Sequence, residues 1–289
     1  MDDHLVDAFK KRHDYAGLRM YVEYQRDLMP LDGGPGPAPA GPVDRALADV
    51  WARTAPDLAP ADRRRLRDAC CAFVGSALWE LANTLHGRIP DPVDYVEMRR
   101  RSAAGELGSE YCRSAMGRDL PAALREHRSV CRLREAAADI QGLRNDVYSY
   151  RKEIEHEEEL NNGVAVVQDF LDCSLQDAVD VVGDLVELRT REFRRIVGTE
   201  VPAVIEEFAM PDGERRRVHA YIASLEERLA GGLAWYLGAP PRYPATQRYT
   251  VSRRRCLKTR PAGGLAGPTG LGTAAASPSR TLAGRGQPI

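Results

Sequence analysis

The run Asn145-Asp146-Val147-Tyr148-Ser149-Tyr150-Arg151-Lys152-Glu153 sets an amide oxygen, a hydroxyl and a carboxylate at positions i, i+4 and i+8. At about 100° per residue of α-helix, Asn145, Ser149 and Glu153 fall within roughly 80° of one helix face. Three hard oxygen donors in line suit Mg²⁺, which keeps some of its waters and shares phosphate oxygens. The competing reading is the polar face of a surface helix. A second run, Asp2-Asp3-His4-Leu5-Val6-Asp7, places two adjacent carboxylates with a third one turn beyond Asp3. These could hold further Mg²⁺ ions, although acids also gather in the first turn of a helix to suit its dipole. Arginines form the third and fourth signals: Arg99, Arg100 and Arg101 after Tyr95-Val96-Glu97-Met98, and the pair Arg242-Tyr243. A guanidinium suits bidentate capture of phosphate oxygens, and equally sits on a solvated face.

Helices must position these groups. From Arg63 to Leu85 the residues Leu66, Cys70, Phe73, Val74, Ala77, Leu78 and Leu81 recur at three- and four-residue spacing, one apolar stripe on a long helix. Asp91-Pro92 reads as an N-cap followed by proline at the first helical position, opening a helix to about Ala104. The Asn145 run belongs to a long helix from about Pro121 to about His156. Ser174 caps another, with Val181, Val182, Leu185, Leu188 and Phe193 expected inward. The last, from about Asp212 to Tyr236, offers Val218, Ile222, Leu225, Leu229 and Leu233. Residues 30–42 are too rich in Pro and Gly for a helix. Strand signals are few and no internal repeat is seen, so the fold class is all-α, a bundle of long helices of the kind that holds ligands between facing helices.

Composition removes several function classes. No apolar run approaches the ~18–20 residues that span a bilayer. Met1 is followed by two aspartates, not by a signal peptide. Six cysteines without a C-x-x-C pair argue against a zinc site or a disulfide scaffold, and for a reducing cytoplasmic location. The net charge of −1 hides an asymmetry. Residues 251–289 hold seven basic residues, no acid and no aromatic residue, with 7 Gly and 4 Pro. That leaves residues 1–250 at −8, an acidic body that argues against a nucleic-acid partner. Two regions follow: a folded domain over 1–250, and a disordered tail or linker stub over 251–289.

Taken together and in this order, the four signals resemble the class I terpene cyclases of bacteria. The resemblance implies an aspartate-rich motif and an N-D-x-x-S-x-x-x-E motif facing each other across an apolar pocket. The second motif is complete in this sequence. By that resemblance Asp2, Asp3, Asp7, Asn145, Ser149 and Glu153 are metal ligands, with three Mg²⁺ ions as the cofactor. Arg99 is the diphosphate sensor, with Arg100 and Arg101 as competing choices. Lys152 contacts diphosphate, and Arg242 with Tyr243 closes over it, although Arg248-Tyr249 repeats the dipeptide. A closer similarity, carried by DDHLVDAFKKRHD, PVDRALADVWARTAP, LWELANTLHGRIPDPVDYVEMRR and NDVYSYRKEIEHEEELNNGV, is to the N-terminal cyclase half of germacradienol/geosmin synthases. Asp7 stands where glutamate is usual in that family.

The resemblance implies a class I terpenoid synthase bundle that converts farnesyl diphosphate to a germacradienol- or germacrene-type sesquiterpene with release of diphosphate. It also implies helices before the aspartate-rich motif, so the chain reads as lacking its first helices. With those absent, Leu5 and Phe9 would lie partly exposed, favouring self-association or a catalytically inactive bundle. A cyclase with a different terpene product is the other alternative. Chain elongation is disfavoured, because its enzymes carry two aspartate-rich motifs. The expected partner is a small prenyl diphosphate, with no nucleic acid and no membrane span.

Overall fold

The structure is a computed structural model and describes residues 1–115 and 120–238. Among these there is no β-strand. A first helix, α1, starts as Asp2–Leu5 and runs on through a π-helical turn, Val6–Lys10. It is followed by α2 (Tyr15–Asp27), α3 (Pro42–Thr54), α4 (Pro60–Leu85), α5 (Pro92–Ser102), α6 (Gly105–Ala115) and the short α7 (Ala122–Arg125). Helix α8 spans Arg128–Tyr150 and widens into a second π-helical turn, Arg151–His156. The chain then forms α9 (Gly163–Leu171), α10 (Leu175–Arg195), α11 (Val201–Glu207) and α12 (Asp212–Gly238).

The expected caps are present. Asp91 accepts from the Val93 N–H, and Ser174 accepts from the Asp177 N–H. The long helix anticipated from Pro121 to His156 is broken instead. His127 has an extended backbone (φ −62°, ψ 136°) and caps α8 through the Ser129 N–H, with neither Gly nor Pro to announce the break.

Helix α8 is the axis of the bundle. Its buried residues, Leu133, Ala136, Ala137, Ile140, Leu143, Val147 and Tyr150 among them, point in every direction, as a helix surrounded by others requires. One side packs with Phe193, Ile196, Val218, Tyr221, Ile222 and Leu225. The other packs with Tyr95, Val164, Ala178, Val179 and Val182. Around α4, Leu66 and Cys70 meet Met29 and Trp51, while Val74, Ala77 and Leu81 meet Leu5 and Leu18. Each buried Leu or Phe contributes about 1.5–3 kcal/mol of hydrophobic stabilisation.

Three expectations on burial are corrected. Leu5, expected to lie partly exposed, is 3% exposed because α2 and α4 cover it, whereas Phe9 is partly exposed as expected, half-buried against the same cluster. Leu188 on α10 is 57% exposed and Leu233 on α12 is 37% exposed. Among the described residues, no helix is long and apolar enough to cross a membrane. The tail expected over 251–289 lies outside the described residues.

Candidate active site

Tyr95 and Arg99 on α5 lie against the C-terminal half of α8, and two glycines let the backbones approach. A Cβ at Gly142 would stand 3.0 Å from the Arg99 Cγ, so the arginine stem lies directly on α8. A Cβ at Gly163 would stand 2.6 Å from Asp146 Oδ2, which instead accepts the Gly163 N–H at 3.1 Å. The first turn of α9 therefore comes down onto a carboxylate, the charge that a helix N-terminus favours.

Asp146 is fully buried and anchors the site. It accepts from the Tyr95 hydroxyl at 2.8 Å and pairs with Arg99 Nη2 at 2.8 Å. The same Nη2 donates to Asn145 Oδ1 at 2.5 Å, and Nη1 donates to Ser102 Oγ at 3.2 Å. Burial alone would lower the Arg99 pKa, but the Asp146 carboxylate holds it well above the ordinary arginine value, so the guanidinium stays charged. Ser149 donates to the Asn145 carbonyl at 2.8 Å. Glu153, in the π turn, accepts from Asn162 Nδ2 at 2.9 Å. Its carboxyl is pushed up to about 7, chiefly by burial, against the pull of Arg99 and with a further push from Asp146.

A cavity of about 230 Å³ brings Asp2, Arg99, Asn145 and Glu153 to one space, with Phe73, Ala103 and Tyr236 as apolar wall. Asp3 is outside this lining, 3.3 Å from Lys152 Nζ, which also donates to the cavity residue Glu157 at 2.6 Å. Asp7 is placed elsewhere: its side chain is 68% exposed and pairs with Lys11 at 2.7 Å, one turn along its own helix. Of the three adjacent arginines, Arg99 alone lines this cavity. Arg100 binds Asp139 through two hydrogen bonds, at 2.7 and 3.1 Å, and Arg101 lines a separate cleft outside it. Arg242 and Tyr243 lie outside the described residues.

The donor chemistry suits a divalent cation. Asp2, Asn145 and Glu153 present hard oxygens around one space, and a buried carboxylate whose charge is resisted, as at Glu153, gains most from a nearby cation. Among the described residues no group of three or more His, Cys, Asp or Glu is gathered as a metal site. Asn145 adds an amide oxygen to the same lining, while Ser149 is fully buried outside that lining, its hydroxyl on the Asn145 carbonyl.

Several site residues escaped the sequence reading. Asp146 stands inside the motif, but its role as the Arg99 partner depends on α5 packing. Tyr95, Asn162, Lys10, Glu80, Glu159 and Tyr236 carry no local signal.

These helices and this site define the class I terpene synthase fold, and comparison with known proteins agrees. Residues 1–192 match the family described as terpene synthase family 2, C-terminal metal binding, and the chain belongs to that family. It is 29% identical over 255 residues to pristinol synthase of Streptomyces pristinaespiralis, covering 88% of this chain and 67% of that protein. It is 32% identical over 167 residues to (+)-T-muurolol synthase of Roseiflexus castenholzii, covering 58% of this chain and 51% of the relative. The crystal structure of germacradien-4-ol synthase from Streptomyces citricolor superposes with a TM-score of 0.70 at 25% identity, over 81% of this chain and 73% of that one. The chain thus spans one half to two thirds of the length of these curated relatives.

Proposed function

We propose that this chain is an Mg²⁺-dependent cyclase of farnesyl diphosphate, forming a germacradienol- or germacrene-type sesquiterpene and releasing diphosphate. The observation that carries it is the convergence of Asp2, Arg99, Asn145 and Glu153 on one cavity with an apolar wall. The named activities of the relatives, among them (+)-T-muurolol synthase and 7-epi-alpha-eudesmol synthase, both (2E,6E)-farnesyl diphosphate cyclizing, support the substrate class.

The reaction breaks an allylic C–O bond without a strong nucleophile. Asp2 and Asp3 on one side, with Asn145, Ser149 and Glu153 on the other, would hold the ions. When bound, these neutralise charge growing on the departing diphosphate. Arg99 adds a fixed positive charge, already oriented by Asp146, so little reorganisation accompanies ionisation. Lys152 pairs with Asp3 at 3.3 Å and would add a second positive charge near the diphosphate. The cavity of about 230 Å³ is smaller than the ~300–1,000 Å³ of typical ligand pockets, and its charged lining suits the diphosphate end of the substrate. Phe73 and Tyr236 mark where the hydrocarbon begins, and aromatic faces there stabilise positive charge on carbon. Excluding water from that end prevents premature capture of the allylic cation.

The test is incubation of the purified chain with geranyl, farnesyl or geranylgeranyl diphosphate and Mg²⁺, with mass spectrometry of volatiles and measurement of released diphosphate. A cyclic C15 product from farnesyl diphosphate, lost in Glu153→Ala, is expected. Consumption of isopentenyl diphosphate, or parent-rate ionisation by Glu153→Ala, would overturn the reading.

A further inference from the structure

The cavity holds a second buried charge cluster that the proposed reaction does not use. Lys10 Nζ, at the end of the π turn of α1, lies 2.5 Å from Glu80 Oε2 on α4 and 2.6 Å from Glu159 Oε2 in the segment after α8. The three side chains are only 10%, 12% and 9% exposed. Asn161 completes the cluster: its Nδ2 donates to Glu159 Oε1 at 2.8 Å and to the Glu80 carbonyl at 3.1 Å. Burial alone would lower the Lys10 pKa, but the two carboxylates raise it above the ordinary lysine value, so the ammonium stays charged. With both carboxylates engaged at short distance, Lys10 is occupied as a tie between segments.

The segments it ties are the two walls of the metal site. Asp2 and Asp3 stand on the same helix as Lys10, at its other end. Glu159 is joined to the opposite wall through its own backbone, its N–H donating to the Glu153 carbonyl at 2.9 Å. A continuous path therefore runs from Asp2 along α1 to Lys10, across to Glu159, and into the turn that carries Glu153. Lys10, Glu80 and Glu159 line the same cavity as Asp2, Asn145 and Glu153. Hydrophobic packing of Leu5 fixes α1 against α4, and the Lys10 pairs bind the far end of α1 to the segment that follows α8, while Asp3 meets Lys152 at 3.3 Å at the near end.

We propose that Lys10 is a positioning residue: clasped by Glu80 and Glu159, it sets the spacing between the Asp2–Asp3 end of α1 and the Asn145–Ser149–Glu153 face, and so governs the ions shared across the cavity. This rests on the cyclase reading of the site.

The experiment uses the full 289-residue chain with Mn²⁺ and inorganic diphosphate, followed by electron paramagnetic resonance and calorimetry, with circular dichroism and thermal melts as the folding control. The parent is expected to show spin-coupled Mn²⁺. Lys10→Arg keeps the coupled signal, with affinity within threefold. Lys10→Met stays helical and retains Mn²⁺ on the Asn145–Ser149–Glu153 face. It loses the coupled signal, and its overall affinity falls tenfold or more. Because Lys10→Met leaves two carboxylates facing each other, a neutral triple variant (Lys10→Met, Glu80→Gln, Glu159→Gln) is measured beside it, and the same loss is expected. A folded Lys10→Met or triple variant with parent-like affinity and coupling overturns the proposal. So does unfolding of both, which would make Lys10 a requirement of the fold as a whole. If the parent binds no Mn²⁺ with diphosphate, the cyclase reading itself fails before Lys10 is altered.

Discussion

Arg99 donates at 2.5 Å to the amide oxygen of Asn145 while lying 2.8 Å from the buried carboxylate of Asp146. One guanidinium thus holds both the residue that orients it and an oxygen that a cation would use. A cation at Asn145 must share or displace that bond, and diphosphate drawing on Arg99 would release it. Under the proposed function, phosphate capture and metal capture would therefore be linked through a single side chain.

Lysine cannot reproduce that geometry, since a point charge lacks the planar fork that spans Asn145, Asp146 and Ser102. Arg99→Lys is expected to remain folded while kcat/KM for farnesyl diphosphate falls by about 10²-fold, the scale for losing one fixed stabilising donor. Diphosphate release, with a thermal melt alongside, checks this.

Gly163→Ala should destabilise the protein by ~1–3 kcal/mol, the usual cost of overpacking. The added Cβ meets Asp146 Oδ2 at 2.6 Å and Tyr95 Cε1 at 3.1 Å. Gly198→Ala is the control, because nothing lies within 4 Å of that Cβ. Urea unfolding of the two variants should separate them clearly, with the control near the parent.

Glu153 sets a pH dependence of defined sign. Its carboxyl is raised from 4.5 to about 7 by burial, so between those values the folded protein keeps a proton that an unfolded glutamate has released. Stability from this group is therefore present at low pH and is lost as pH rises through that window. Cation binding runs the other way, because the ligand must be ionised. Apparent Mg²⁺ affinity is expected to fall about tenfold per unit below pH 7, with a proton released on binding. Calorimetry in buffers of different ionisation enthalpy measures both effects, and Glu153→Gln should flatten them.

Tyr148 and Tyr236 stack with ring centroids 4.8 Å apart and planes 5° from parallel, joining α8 to α12 beside the cavity. A double-mutant cycle with leucine at each position should return a coupling of about 0.5–1.5 kcal/mol. Tyr236→Leu alone is expected to change the product mixture, since this ring lines the cavity.

The helical pattern was legible from the apolar spacing in α4 and α12, and from the capping residues Asp91 and Ser174 at the starts of α5 and α10. It failed at His127, where an ordinary side chain breaks a helix without any breaker residue. The site was legible as far as the spacing of Asn145, Ser149 and Glu153 reached. Choosing Arg99 over Arg100 needed the third dimension, because both lie on one turn and only packing sends one to Asp146 and the other to Asp139. Asp7 shows the opposite limit. Its place in the motif is conspicuous in sequence, yet the chain turns it outward to Lys11. Lys10, three residues on, faces the cavity with nothing in its neighbours to mark it.

Both segments that carry the candidate acidic ligands leave regular α-helical geometry, α1 at Val6–Lys10 and α8 at Arg151–His156. A π-helical turn holds one more residue than an α-helical one. Deleting a single residue there would let the turn relax to the α-helical count, which keeps the flanking stretches nearly in phase but changes which side chains the turn itself presents. Glu153 would leave its alignment with Asn145, or Lys10 would leave Glu80, with no change in any side chain's identity. For these two stretches residue count bears on the geometry as directly as residue type. A library built by insertion and deletion should find them intolerant, while the Pro/Gly-rich loop at 30–41 absorbs the same changes.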